Sequence, residues 1–214
     1  MAKVDELGAH VSAAGGVDKA PARAAEIDAA VLQLFTKQPN RWAEKEIPDE
    51  TAEAFRAERS RYGIRTAVSH DSYLINLATP DAELFEKSYR SFRMELERCV
   101  ALGLEYLVTH PGNATDGNVE RGLEQNAQAV DRALDEVGGD TMVLLETTAG
   151  SGKVLGATFE QLAAMIERID SRRRARVGIC LDTCHVWVAG YDLREDYDGV
   201  FSRFDDTTVS SSST

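Results

Sequence analysis

Hydrophobic and polar positions along the chain alternate between two textures. Short, nearly unbroken apolar runs occur at 7–11, 29–35, 66–70, 106–110, 142–147 and 177–183. Their brevity and their β-branched or aliphatic content predict strands covered on both faces. Between them lie longer stretches with an apolar period of three to four residues. The plainest is 81–102, where Phe85, Tyr89, Phe92, Leu96 and Val100 form one helical stripe, with Thr79-Pro80 as its expected start and Gly103 as its stop.

Strand followed by helix, repeated, implies parallel strands joined by right-handed crossovers, in an open doubly wound sheet or a closed barrel. No GxGxxG or GxxxxGK[ST] follows any strand, which disfavours the nucleotide-binding open sheet. The expectation is therefore an α/β fold, a TIM (β/α)8-type barrel of which about six βα units are present. One domain is expected over 1–204. The stretch 205–214 loses all pattern and is expected to be a low-complexity, disordered tail.

A length of 214 residues is enough for a real core. The balance of 24 Lys+Arg against 36 Asp+Glu gives a net charge of −12, the wrong sign for coating nucleic acid without specificity. A site-specific binder remains allowed. The cations are mostly arginine, and a lysine-poor, acid-rich surface suits a high-salt cytosol. No apolar run nears the ~20 residues of a membrane span, and no hydrophobic stretch follows Met1 as in a signal peptide, so a cytoplasmic protein without a membrane partner is expected. Cys99, Cys180 and Cys184 read as free thiols, the last two packed in the core rather than ligating metal.

Candidate chemistry sits where the strands end. His70, His110, Glu146 and Asp182 close four successive apolar runs at intervals of 40, 36 and 36 residues, and His185 follows three residues later. Side chains at strand C-termini are where barrels of this type build their sites. Val68, Val108, Leu144 and Cys180, two residues earlier, share the inward face, so the polar groups cap an apolar interior. Two imidazoles and two carboxylates suit zinc, manganese or iron better than calcium. Glu146 could bridge two ions. Residue types alone leave hydrolysis at phosphorus and sugar isomerisation both open.

At these positions the sequence resembles a known family. The stretches Gly8-Ala9-His10-Val11-Ser12-Ala13-Ala14-Gly15-Gly16, His70-Asp71-Ser72-Tyr73-Leu74-Ile75-Asn76-Leu77, His110-Pro111-Gly112, Glu146-Thr147-Thr148-Ala149-Gly150, Asp182-Thr183-Cys184-His185 and Ala189-Gly190-Tyr191-Asp192-Leu193-Arg194 are similar to those of the endonuclease IV family. These are zinc-dependent apurinic/apyrimidinic endonucleases on a TIM barrel. The resemblance implies incision of DNA 5′ to an abasic sugar, leaving a 3′-hydroxyl, at a three-zinc site. It assigns His70, His110 and Glu146 to the first zinc, Glu146 and Asp182 to the second, and His185 to the third, with Glu146 positioning the activated water.

The resemblance also makes Tyr73 and Leu74 a wedge for the minor groove, a use of apolar side chains that kinks the duplex. The family's arginine in the loop after strand two stands two residues before its tryptophan. Here Arg41 directly precedes Trp42, a shift that alters its expected reach toward DNA. His10 is expected to be structural rather than a ligand. Arg172, Arg173, Arg174 and Arg176 precede strand six and are expected to form a solvated turn away from the site. Lys37 and Arg41 are the local cations expected near DNA.

The family's remaining four ligands would come from two further βα units, which at 36 residues each would bring the chain to roughly 276. The expectation is a chain truncated at its C-terminus that retains about one zinc, is either poorly stable or self-associating, and cuts little by itself. Other readings are a metal-dependent sugar isomerase or epimerase on a related barrel, and a non-catalytic remnant that binds zinc or damaged DNA.

Overall fold

The computed structural model describes residues 6–42 and 45–208. Six strands, β1 (Gly8–His10), β2 (Val31–Leu34), β3 (Thr66–His70), β4 (Tyr106–Thr109), β5 (Met142–Glu146) and β6 (Val177–Cys180), follow one another in the sheet in chain order. The β1–β2, β2–β3, β3–β4 and β5–β6 ladders are parallel. The connecting segments carry helices α1 (Ala20–Ala25), α2 (Asp49–Arg61), α3 (Ala82–Leu102), α4 (Val119–Glu136), α5 (Phe159–Glu167), α6 (Ser171–Arg174), α7 (Thr183–Val188) and α8 (Tyr197–Thr208). This is the α/β arrangement of the TIM-barrel type, with six βα units.

Each apolar run contains its strand, trimmed where the chain turns away. The last run loses its final three residues. β6 stops at Cys180, and Asp182 caps α7 instead of ending the strand. α3 likewise starts from Asp81, whose Oδ1 accepts from the backbone N–H groups of Glu83 and Leu84 at 2.9 and 3.0 Å. Thr79-Pro80 lies just upstream of this cap. At the other end Gly103 takes φ 69°, the left-handed turn that closes the helix. Tyr89, Phe92 and Leu96 of the expected stripe are buried, while Phe85 and Val100 lie at its margins. Cys99 and Leu102 complete the buried face.

The described chain falls into two compact units. The first comprises residues up to 74, 91–108 and 139–142, and its buried side chains include Leu32, Leu34, Phe55, Phe92, Leu96 and Leu107. The second comprises 75–90, 109–138 and 143 onward, and buries Leu77, Tyr89, Val130, Leu145, Leu155 and Leu162. It also holds a cluster of Phe159, Val186 and Val200, where Tyr191 stacks on Phe159 at 4.2 Å. The boundary between the two units runs partly within regular elements. No linker marks it in the sequence, because the chain crosses between units inside α3, β4 and β5.

α8 runs to Thr208, so 205–208 of the expected tail continue a helix, and 209–214 lie outside the described residues. Among the described residues, no helix is long and apolar enough to cross a membrane.

Candidate metal centre

Four of the five expected ligands belong to the second unit, and the fold brings them together. His110 directly follows β4, Glu146 is the last residue of β5, Asp182 caps α7, and His185 lies in the first turn of α7. Glu146 is buried between two imidazoles: its Oε2 lies 3.0 Å from His110 Nε2 and its Oε1 3.9 Å from His185 Nδ1. Asp182 Oδ2 is 3.9 Å from the same His185 nitrogen, and the two rings are 5.9 Å apart. Glu146, Asp182 and His185 each offer a ligand atom within 4.8 Å of the others.

Local hydrogen bonds fix these side chains. His185 Nδ1 lies 2.8 Å from the Thr147 carbonyl oxygen, which can only accept, so Nδ1 carries the hydrogen and Nε2 is left with the lone pair. Asp182 N–H donates to Thr147 Oγ1 at 2.8 Å, and His185 N–H donates to Asp182 Oδ1 at 2.8 Å. Thr147 thus joins the end of β5 to the start of α7. Its position directly after Glu146 is the only signal for that role in the sequence.

The loop after His110 is held as firmly. Asn76 Oδ1 accepts from Asn113 N–H at 2.8 Å and Ala78 N–H at 3.1 Å, while its Nδ2 donates to the Asn113 carbonyl at 3.1 Å. The buried Asn126 of α4 donates to the Pro111 carbonyl at 2.8 Å. Gly112 between them has φ 101°, and a Cβ there would come within 2.5 Å of Asn76 Oδ1.

His70 belongs to the first unit, where it is buried as the last residue of β3 and pairs in register with Val108, two residues before His110. Its Nδ1 faces the Asp71 carbonyl oxygen at 2.9 Å, which again leaves Nε2 with the lone pair. Phe35 and Tyr73 pack against its ring at centroid distances of 5.9 and 5.7 Å. His10 lies 4.5 Å from Phe35 and pairs with Gln33 through Nδ1, and among the described residues it joins no metal-capable group. Burial, reinforced by His70, lowers its pKa.

Tyr73 is 58% exposed and Leu74 half-buried, on a loop that Ser72 Oγ ties to the Pro39 carbonyl at 2.5 Å. Arg41 is exposed. Lys37 is not a surface cation: its side chain is 5% exposed, lies 3.7 Å from the buried Glu95 and donates to the Arg41 carbonyl. The expected solvated turn is also corrected in part. Arg173 pairs with Asp131 and Asp135, and Arg174 and Arg176 bond main-chain carbonyls, which leaves Arg172 the most solvated of the four.

All three cysteines are free thiols, but only Cys99 is fully packed, and Cys184 is exposed. Burial, then the charges of Glu146 and Asp182, push the Cys180 thiol up to about 11, so it stays protonated at neutral pH. The donors here are two imidazoles and two carboxylates with little neutralising charge among them. They fit a divalent cation of borderline hardness.

The sequence matches the family described as xylose isomerase-like TIM barrel over residues 21–209. A probable endonuclease 4 of Chloroflexus aurantiacus is 51% identical over 202 residues, covering 93% of this chain and 70% of that protein. The crystal structure of endonuclease IV from Thermus thermophilus superposes with a TM-score of 0.84 at 37% identity, covering 95% of this chain and 72% of that one. A D-psicose 3-epimerase crystallised with D-fructose shares the fold at a TM-score of 0.66 but only 16% identity, covering 92% of this chain and 69% of that one. On identity and coverage together, the chain belongs to the endonuclease IV family of TIM barrels.

Proposed function

We propose that this protein is a DNA-repair endonuclease that hydrolyses the phosphodiester bond 5′ to an abasic site. Water oxygen bonds to phosphorus, the bond to the upstream 3′ oxygen breaks, and that oxygen leaves as a 3′-hydroxyl while the 5′-phosphate stays on the abasic sugar. The observation that carries this reading is Glu146 held between His110 and His185 with Asp182 beside it, in a chain half identical to a probable endonuclease 4.

His110, Glu146, Asp182 and His185 of the second unit would hold zinc, and the assignment of His70 to the first ion rests on the family resemblance. Zinc bound there supplies positive charge to the phosphate and lowers the pKa of water. Glu146, with one oxygen toward each imidazole, orients the attacking water in line with the leaving oxygen. Thr147 ties Asp182 and His185 to the end of β5, beside that carboxylate. The hydrogens on the Nδ1 atoms of His70 and His185, given to backbone carbonyls, keep each Nε2 available.

Selectivity has a physical source. An abasic nucleotide has no base to unstack, so turning it out of the duplex costs less than flipping a paired one. Tyr73 is exposed enough to enter the space it leaves, with Leu74 behind it. Arg41 is the cation nearest in sequence to Trp42 that faces solvent. A substrate of this kind places the protein with the chromosome, in the cytoplasm. The epimerase reading rests on a shared fold alone and has no use for an exposed Tyr73.

A labelled duplex with one tetrahydrofuran abasic analogue tests the proposal. Incision on its 5′ side, abolished by chelation and by Glu146→Gln, is the expected result. Intact duplex cut equally well, or a ketose turned over in its place, would refute it.

A further inference from the structure

We propose that Glu95 of α3 is a positioning residue for the loop between β2 and α2, fixing Arg41 and Trp42 through a buried charge network beneath them. The proposal rests on the reading that this loop meets abasic DNA. Glu95 is 1% exposed, and its Oε2 accepts from Thr36 Oγ1 at 2.8 Å. Its Oε1 lies 3.7 Å from Lys37 Nζ, and that ammonium donates to the Arg41 carbonyl at 2.8 Å. Arg98, one turn along the same helix, donates through Nε to Thr36 Oγ1 at 3.1 Å and through its terminal nitrogens to the Thr36 and Lys45 carbonyls.

Burying charge is a poor way to gain stability, since apolar groups of similar volume in the same place are often as stable or more so. Leucines, however, could not satisfy main-chain carbonyls. Thr36, Arg41 and Lys45 lie outside the strands and helices, and their carbonyl groups are all bonded by Lys37 or Arg98. Glu95 holds Lys37 and Thr36 in turn. The network therefore sets the path of the chain at the start of the loop, at Arg41 and at Lys45. It also spends the charge of Lys37 internally, whereas Arg41 is exposed. The loop is tied to its neighbour as well, through Ser72 Oγ and the Pro39 carbonyl, and that neighbour carries Tyr73.

The chain has two tryptophans, Trp42 and Trp187. In a Trp187→Phe background, fluorescence reports on Trp42 alone. Glu95→Gln keeps the size and an acceptor for Thr36 but removes the charge that holds Lys37. Iodide quenching of Trp42 should then rise about twofold, and KM for the abasic duplex about tenfold, equivalent to about 1.4 kcal/mol of lost positioning. Metal content and kcat should hold, because the changed group lies on α3 and not among the residues assigned as ligands. Unchanged quenching, or freer Trp42 with unchanged KM, overturns the proposal. If Glu95→Gln fails to fold, Lys37→Met takes the ammonium away from both Glu95 and the Arg41 carbonyl and carries the same two expectations. Failure of the functional reading is seen separately, as wild-type protein that does not distinguish abasic from intact duplex, while the quenching still reports whether Glu95 holds the loop.

Discussion

Asn76→Ala removes three hydrogen bonds at once, two accepted by Oδ1 and one donated by Nδ2, all to main-chain groups of the loops after β3 and β4. At a net contribution of about 1 kcal/mol each, the loss is about 3 kcal/mol. For a chain of this size that corresponds to a fall in Tm of roughly 6–12 °C, readable by calorimetry or circular dichroism. A second substitution checks the cause. A methyl group at Gly112 would sit 2.5 Å from Asn76 Oδ1 and 3.1 Å from Ala78 N, on a backbone with φ 101°. Alanine at 76 relieves the first clash but neither the second nor the strain. Gly112→Ala should therefore cost less in the Asn76→Ala background than alone, with a coupling of about 1 kcal/mol. Since Asn113 lies three residues past His110, metal retention should weaken in parallel. A Tm within about 2 °C of wild type would refute this account of the loop, because three bonds of even minimal strength exceed it.

Three other outcomes follow from the geometry. Zinc should raise Tm, chelator should lower it, and His110→Ala should abolish the difference, because an ion that binds only the folded chain stabilises it by mass action; metal analysis and thermal scans read this directly. Bonds from Arg173 hold the Asp131 carboxyl below its ordinary pKa. Its contribution is therefore complete above the ordinary carboxylate range and is lost as pH falls through the depressed folded value. Asp131→Asn should lower stability at neutral pH and flatten the acid limb of the stability curve. Burial pushes the Cys99 thiol well above its usual range, so a thiol reagent should label Cys184 first and Cys99 only on unfolding, as peptide mapping would record.

Strands and α3 are readable because burial imposes a period on the sequence, and the ligand spacing is readable because each βα unit has nearly the same length. His110, Glu146 and Asp182 recur at that spacing and, with His185 three residues further on, do meet. What the sequence hides is polar and nonlocal. Glu95 and Arg98, three apart on a helix, look like a solvated pair, yet both lie buried against a loop some sixty residues earlier. Lys37 looks like a cation for DNA for the same reason: its partner lies far away in sequence. Asn76 and Asn126 show no pattern, because a side chain that binds main-chain groups can be recognised only once those groups are in place. The division into two units is invisible for another reason, since the chain crosses between them within regular elements.

Asp182 performs two tasks with its two oxygens. Oδ1 accepts the His185 N–H that starts α7, and Oδ2 faces the ring of the same histidine. Substitution here therefore meets two separate demands. Asparagine would preserve the helix start but surrender the negative charge, whereas glutamate would keep the charge and carry it one carbon too far to cap. A lineage that abandoned the chemistry would be free to accept asparagine, serine or threonine here with little harm to folding. Among the residues that can start α7, aspartate alone also brings a negative charge to the corner between β5 and α7.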